Sequence, residues 1–514
     1  MRSTDERHET EAGGELVHAL LDEALAAAPD SADAPAVTDS GGTWTYRQTD
    51  VYAHAFAHWL RARGVAPGDR VVVQLPSHRE LVGMFYGTSR CGAVFVPLNP
   101  AMKEFHLASV LADADPVLVI APGSAVGRLT GIGAAPVYDA GVVWDEVERL
   151  AVAGVRVPPS DTRPDDLAVL VYTSGSTAAP KAVMCPHAQI VFATRAIQEV
   201  LGYRPDDVVF CRFPISWDYG LYKVLLACAG RSEIVLAGEE SDLTLLRRMR
   251  ETGTTIVPIV PSFASIIVTM AGRDREPPPP VRLFTNTGAA LPPATIEALR
   301  AAFPGARVVR QFGQTECKRI SIMPPEEDRE RPDSVGLPLP GTTVEILGAD
   351  GEPVPVGETG EIVASGPHVM PGYWNNLELT ARTFRREGRT GALRLHTGDY
   401  GRFDADGYLY FAGRRDDMFK RKGIRMSTLE IEAAAMDVTG VRTAAVLPPD
   451  GDRDLMVFVA GDLPPQVVLK ELARRLEPAK VPAECRVLPE LPLTQHGKNA
   501  RDALVALIAG DGAR

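Results

Sequence analysis

No stretch of this chain stays apolar for the length a membrane-spanning helix needs, so no transmembrane segment is expected. It has no CxxC pair and no Cys/His cluster of metal-ligand spacing. The six cysteines, Cys91, Cys185, Cys211, Cys228, Cys317 and Cys485, are widely scattered, which favours reduced core thiols over a disulfide framework or structural zinc. An excess of basic residues is missing too. The net charge of -12 argues against a nucleic-acid partner, which would require a basic footprint. There is no internal repeat and no low-complexity tract, and the phosphate loop GxxxxGK[ST] of the ATPases and GTPases is absent. The N-terminal MRSTDERHETEAGG is polar and acidic, unlike a secretory signal peptide, so a cytoplasmic protein is expected. Residues 1–14 read as disordered for want of apolar content.

The chain does have length and apolar content. At 514 residues and 45% hydrophobic it exceeds what one core usually serves, so at least two domains are expected. LVHALLDEALAAA reads as an amphipathic helix, and TWTYRQTDVYAHAFAHWLRARG as a strand entry followed by a helix ending at Gly64. VVVQLP and AVFVPLNP are short β-branched runs between helical patterns, the alternation of a layered α/β domain with largely parallel sheets. PPSDTRPDD and REPPPP are loops. FDADGYLYF reads as a hairpin and LEIEAAAMD as a new helix, which puts a boundary at Gly413 to Asp417, with domains at 15–413 and 414–514. From Gly413 onward there are 16 basic and 15 acidic residues, net +1, leaving -13 for the rest. Arg414, Arg415, Lys420, Arg421, Lys422 and Arg425 crowd one stretch, either a solvated face or a surface for phosphates or an acidic carrier.

Chemistry concentrates in four motifs. TSGSTAAPKAV, Thr173 to Val183, follows the apolar LAVLVY. Small hydroxyl residues on a tight loop let backbone N–H groups approach phosphate oxygens, and a nearby lysine neutralises their charge. Alone, the run would also suit an ordinary polar turn. QFGQTE at Gln311 to Glu316, HTGDYGRFDADGYLYFAGRRDDMFKRKGIRMSTLEIE at His396 to Glu432, and PLTQHGKNAR at Pro492 to Arg501 follow in order.

In order and spacing these motifs resemble the adenylate-forming superfamily of acyl-CoA synthetases, amino-acid adenylation domains and luciferases, over roughly Ala34 to Leu507. The resemblance implies a large multi-subdomain N-terminal adenylation domain with layered sheets and a small mobile C-terminal α+β domain. It implies ATP and Mg²⁺ as cofactors. Thr173, Ser174, Gly175, Ser176, Thr177 and Lys181 would hold the leaving phosphates, with Ala178 and Ala182 where the family usually has glycine. Glu316 would be the magnesium carboxylate, with Thr315 a phosphate contact. Gly288, Ala289 and Ala290 would lie along adenine, and Phe312 would stack on it in place of the usual tyrosine. Asp399 would accept the ribose hydroxyls, Arg414 would touch ribose or phosphate, Asp416 would be the hinge, and Lys498 the catalytic lysine.

The segment FPISWDYGLYKVLLACAG, Phe213 to Gly230, matches the place where the family splits by substrate. An aromatic followed by aspartate, here Trp217-Asp218, resembles the amino-acid-activating branch. Asp218 is then the candidate partner of a substrate ammonium; a helix-capping aspartate is the alternative. After Glu316 come Cys317, Lys318, Arg319 and Ile320 where the family usually has small or apolar residues. Two cations beside an acyl pocket favour an amino acid with a second carboxylate, unless they are a solvated pair on a turn. Such a pocket resembles the stand-alone β-amino-acid adenylation enzymes of macrolactam polyketide biosynthesis. It implies aspartate or 3-methylaspartate as substrate, with Thr287 as a hydroxyl donor and Tyr219, Tyr222 and Gln311 setting pocket size. No carrier-type segment follows PLTQHGKNAR, so a separate acyl carrier protein is the expected acceptor. An α-amino-acid adenylase, an acyl- or aryl-CoA ligase and a catalytically idle nucleotide-binding protein remain as alternatives.

Overall fold

A computed structural model describes residues 15–28, 30–102, 104–133, 135–173, 181–238, 240–387, 391–414, 418–421, 424–450, 453–476, 478, 480–493 and 500–511. Residues 1–14, Ser174, Gly175, Ser176, Thr177, Asp416 and Lys498 lie outside the described residues.

The fold class expected from the sequence is observed. One six-stranded sheet runs Val137–Asp139, Leu118–Ala121, Arg70–Val73, Val94–Pro97, Leu167–Thr173 (β1) and Lys181–Pro186 (β2). All its pairings are parallel except the last, where β2 folds back antiparallel on β1. The central strands read VVV, VFVP and LVIA because helices cover both faces, leaving no exposed side for polar alternation.

A nine-stranded sheet carries Leu283–Asn286 (β3) and Arg307–Phe312 (β4) within its parallel centre, between Ile256–Ile259 and the short antiparallel strand Ser321–Ile322. Val208–Cys211 lies on the far side of Ile256–Ile259 and leads into the helix Asp218–Gly230 (α1). In an open parallel sheet, ligand sites form beyond the carboxyl ends of the strands. Cys211, Ile259, Asn286 and Phe312 are such ends.

A five-stranded antiparallel sheet holds Ala392–Phe403 (β5) paired with Leu409–Arg414 (β6) through the turn at Asp404 to Gly407. The C-terminal part contains the hairpin Met418–Arg421 with Ile424–Ser427. It also has a three-stranded sheet, Val441–Leu447, Met456–Gly461 and Glu484–Leu488, and the helices Thr428–Met436, Pro465–Arg475 and Arg501–Asp511. Helix Thr428–Met436 is LEIEAAAM with its preceding threonine, capped by the Ser427 hydroxyl. Among the described residues no helix is long and apolar enough to cross a membrane. All six cysteines are buried and free.

Within the basic stretch, Arg421 departs from the expected solvated or docking face. Its guanidinium pairs with Asp454 at 2.8 and 3.0 Å and donates to the Val481 carbonyl at 2.7 Å, with only 10% of the side chain exposed. It ties the hairpin to the segments that carry Asp454 and Val481.

Helix α1 is apolar nearly all round and sits in the core, so its first turn has to be placed by close packing. A Cβ on Gly220 would lie 2.1 Å from the Pro214 carbonyl oxygen and 2.6 Å from that of Phe213, so only glycine lets the preceding loop tuck against the helix. Gly220→Ala is expected to destabilise the protein by about 1–3 kcal/mol through overpacking. Urea unfolding checks this; an unchanged midpoint would show that the loop yields freely.

Candidate active site

Two clusters of polar side chains meet on one short turn after β4. The chain leaves β4 at Phe312, passes Gly313, and turns through Gln314 to Lys318, with the Lys318 N–H donating to the Gln314 carbonyl at 2.7 Å. Lys318 has φ of +68°, a left-handed conformation that costs a non-glycine residue roughly 1–2 kcal/mol. A Cβ on Gly313 would come within 2.4 Å of the Lys318 carbonyl oxygen, so the glycine permits the turn to close.

On one side of the turn is Glu316, buried at 5% exposure. Its Oε1 accepts from the Lys181 ammonium at 2.9 Å and from the Tyr373 hydroxyl at 2.6 Å, and Lys181 also donates to the Tyr373 oxygen at 2.8 Å. Burial works to raise the carboxyl, but the Lys181 charge and the two hydrogen bonds outweigh it and leave it below the ordinary glutamate range. Glu316 is therefore an ionised carboxylate with both bonds on Oε1. Lys181 opens β2 directly opposite Thr173, the last residue of β1, so these two frame the base of the hydroxyl-rich loop. Thr315 lies half-buried in the same turn.

On the other side is Lys318, 1% exposed, whose ammonium lies 2.6 Å from Asp218 Oδ1 and 3.3 Å from the Cys185 sulfur. Burial alone would depress this amine; the Asp218 carboxylate overrides it and holds the ammonium charged. Asp218 is the first residue of α1, and its side chain bonds to Lys318 and not to the helix backbone, so the capping alternative is set aside. Asp218, the candidate partner of a substrate ammonium, thus rests on the Lys318 ammonium. Arg319 is 5% exposed, with Nε donating to Gln311 Oε1 at 2.7 Å and Nη1 to the Lys318 carbonyl at 2.6 Å. The two cations are buried, which overturns the solvated-turn alternative. Among the described residues no carboxylate pairs with Arg319.

Tyr219 and Tyr222 follow Asp218 along α1. The Tyr219 hydroxyl donates to the Thr285 carbonyl at 2.5 Å and its ring lies 5.3 Å from the Arg319 guanidinium carbon. The Tyr222 ring lies 5.4 Å from the Lys318 nitrogen. The Tyr222 hydroxyl, Gln311 Nε2 and Asn286 Oδ1 are buried without a partner among the described residues. Buried polar atoms are rarely left unpaired in a protein, and these three belong to residues of α1, β3 and β4.

The carboxyl edge of the nine-stranded sheet and the five-stranded antiparallel sheet carry the other expected residues. Asn286 pairs with Arg310 in register, so Gly288, just past β3, and Phe312, the last residue of β4, come level at the edge of the sheet. Gly288 has φ of +84°, and Gly288, Ala289 and Ala290 form an exposed, nearly side-chain-free ledge, held by Asn286 donating to the Ala289 carbonyl at 2.8 Å. The Phe312 ring lies 5.0 Å from that of Phe411. Thr287 is buried at the end of β3. Asp399 on β5 is buried and pairs across the ladder with Arg414, the last residue of β6, whose Nε lies 3.1 Å from Oδ1. No group of three or more His, Cys, Asp or Glu among the described residues could hold a metal by itself. A single glutamate suits Mg²⁺, which takes one or two carboxylates and completes its shell with phosphate oxygens and water.

Residues 25–374 match the family described as AMP-binding enzyme, and residues 430–498 match the AMP-binding enzyme C-terminal domain. The chain belongs to the AMP-binding enzyme family. This is the adenylate-forming superfamily that its motifs resemble. Phosphinothricin tripeptide synthetase PhsC of Streptomyces viridochromogenes is 31% identical over 518 residues, covering 96% of this chain and 45% of that protein. AMB antimetabolite synthetase AmbB of Pseudomonas aeruginosa is 31% identical over 471 residues, covering 90% and 36%. The chain thus spans less than half the length of these curated relatives. A crystal structure of VinN is 56% identical over 78% of this chain and 99% of that one, with a TM-score of 0.74. Complexes of VinN with L-aspartate and with 3-methylaspartate match at 55% and 52% identity, with TM-scores of 0.73 and 0.67.

Sequence reasoning missed three contacts in this family site. Tyr373, in MPGYWNN, has no local signature; it reaches Glu316 because residue 373 bridges to Val183 of β2. Cys185 read as core and is core, yet its sulfur touches Lys318. Lys223 did leave a signal, as the only charged residue after Asp218 in the apolar helix α1.

The buried ion pair makes a stability prediction independent of activity. Lys318→Met leaves Asp218 without its cation and is expected to cost about 3–5 kcal/mol, whereas Asp218→Asn with Lys318→Met recovers most of that loss. Urea unfolding of the two singles and the double decides; strictly additive losses would mean the pair is not coupled.

Proposed function

We propose that this chain activates an amino acid of aspartate type with ATP and passes the aminoacyl group to the phosphopantetheine thiol of a separate acyl carrier protein, as in macrolactam polyketide biosynthesis. The observation that carries the reading is the buried Asp218–Lys318 pair beside Arg319, a guanidinium without a carboxylate among the described residues. An acid bearing one ammonium and a second carboxylate completes this set. Its ammonium takes Asp218, and its second carboxylate takes Lys318 and Arg319. The carboxyl β to the amine then faces the nucleotide. The resemblance to VinN, whose complexes contain L-aspartate and 3-methylaspartate, supports the same substrate class. Thr287 and the unpartnered Gln311 amide supply further donors, and Tyr219 and Tyr222 limit pocket size.

In the first half-reaction a carboxylate oxygen attacks the α-phosphorus of ATP and pyrophosphate leaves. In the second, the thiol sulfur attacks the acyl carbon and AMP leaves. Thr173, Ser174, Gly175, Ser176, Thr177, Thr315 and Lys181 hold the phosphates in this reading. Gly288, Ala289, Ala290 and Phe312 receive adenine, and Asp399 with Arg414 receives the ribose. Lys181 is released from Glu316 as both engage the nucleotide. Glu316 would hold Mg²⁺, which neutralises phosphate charge when bound. Lys498 brings a cation to the attacking carboxylate from a domain, 414–514, that turns about Asp416.

ATP–pyrophosphate exchange across aspartate, 3-methylaspartate, β-alanine, glutamate, α-amino acids and benzoates tests the substrate class. Preference for an α-amino acid without a second carboxylate, or for benzoate, would overturn it. Arg319→Ala should lower specificity for aspartate ~10–100-fold, from one lost charge-assisted contact, and affect β-alanine far less. Equal losses for both would detach Arg319 from the second carboxylate. Lys498→Ala should impair adenylation much more than transfer from preformed acyl-adenylate, and single-turnover assays that show equal loss would contradict its role. Transfer to free coenzyme A at the carrier's rate would remove the carrier from the proposal.

A further inference from the structure

Lys223 is the second buried lysine of this pocket and has no counter-charge among the described residues. On α1, Asp218, Tyr219, Tyr222 and Lys223 stand at i, i+1, i+4 and i+5, which puts them on one face of the helix. The Lys223 side chain is fully buried. Its nitrogen lies 3.5 Å from the Thr285 hydroxyl and 4.6 Å from the centre of the Tyr219 ring. The same ring lies 5.3 Å from the Arg319 guanidinium carbon, so one aromatic ring stands next to both basic side chains. Tyr219 is itself fixed by its bond to the Thr285 carbonyl. Asp218, the carboxylate on the same face, is held by Lys318.

The surroundings of Lys223 offer little to hold a proton. The helix contributes the phenols of Tyr219 and Tyr222, both pushed up by burial, and Asp218. The strand Val208–Cys211 contributes the Cys211 thiol, which burial pushes up to about 11 and so keeps neutral. β3 contributes only the Thr285 hydroxyl, and the turn after β4 contributes Arg319 and Lys318. Burial, and after it the Arg319 charge, holds the Lys223 amine well below its ordinary range. The first cause is fixed by the fold. The second is removed when an anion settles on Arg319.

We propose that Lys223 is a further specificity-determining residue, whose amine is uncharged before substrate binds and takes up a proton when the ligand's second carboxylate docks on Arg319. This rests on the aspartate-type reading of the same pocket. It gives the pocket a cation that arrives only with the matching anion. A substrate without that carboxylate leaves Arg319 unneutralised and Lys223 neutral. Lys223 stands next to the Tyr219 ring and acts through charge rather than by touching the reacting atoms, which makes it a positioning and selectivity group.

The test is calorimetric titration of the full chain with L-aspartate and with β-alanine, at neutral pH, in two buffers of widely different ionisation enthalpy. Wild type should take up protons with aspartate and few or none with β-alanine, and Lys223→Met should abolish the difference. In exchange assays the wild-type KM for aspartate relative to β-alanine should rise as pH rises above neutrality. In Lys223→Met that ratio should be flat with pH and roughly 3–10-fold higher near neutrality, as expected for one charge lost at a distance. If Lys223→Met fails to fold, the two wild-type measurements still decide. Aspartate binding without proton uptake, or uptake retained in Lys223→Met, overturns the role of Lys223 alone. Failure of aspartate to support exchange at all overturns the substrate reading instead.

Discussion

A buried ion pair, Asp218 with Lys318 at 2.6 Å, sets the terms for the rest of the site. Removing two charges from water costs several kcal/mol per ion, and the attraction between them repays this only in good geometry. The fold supplies that geometry from two directions. Gly220 lets the loop before α1 press onto the helix, which fixes Asp218 at its first residue. Gly313 lets the turn after β4 close with Lys318 in a left-handed conformation. Strain at Lys318 is the kind retained where a side chain must be aimed.

That turn also joins the two halves of the chemistry. Glu316 faces Lys181 and Tyr373, while Lys318, two residues on, faces Asp218. Cys317 between them is buried and anchors the turn in the core. A nucleotide held through Glu316 and an acid held through Lys318 would therefore be registered to one another by a few covalent bonds. Such registration lowers the entropic barrier to a displacement between two bound reactants.

Three charged nodes hold internal partners before any ligand arrives. Lys181 rests on Glu316, Lys318 on Asp218, and Arg414 on Asp399. Each pairing keeps a buried charge from standing alone. Arg319 differs, since it rests on the Gln311 amide and a carbonyl and carries its charge unopposed among the described residues. An unopposed buried cation discriminates between ligands more strongly than a paired one, because only an anion relieves it.

The sequence by itself determined the family, the layered α/β class and the positions at which chemistry is concentrated. Those properties are local: β-branched runs make buried parallel strands, prolines exclude helix at 275–280, and a hydroxyl-rich loop or a serine cap acts within a few residues of itself. Only the tertiary structure decided which charges meet. The pairing of Lys318 with Asp218 spans 100 residues, that of Lys181 with Glu316 spans 135, and Tyr373 joins from 57 residues beyond Glu316. Arg421 looked like part of a basic surface until the fold placed Asp454 against it. Lys223 was visible as a lone charge in an apolar helix, but its lack of a carboxylate partner among the described residues was not. The reason is the range of the forces. Secondary-structure preference is set by neighbours along the chain, whereas the energy of a charge depends on the dielectric and the countercharges that distant segments bring to it.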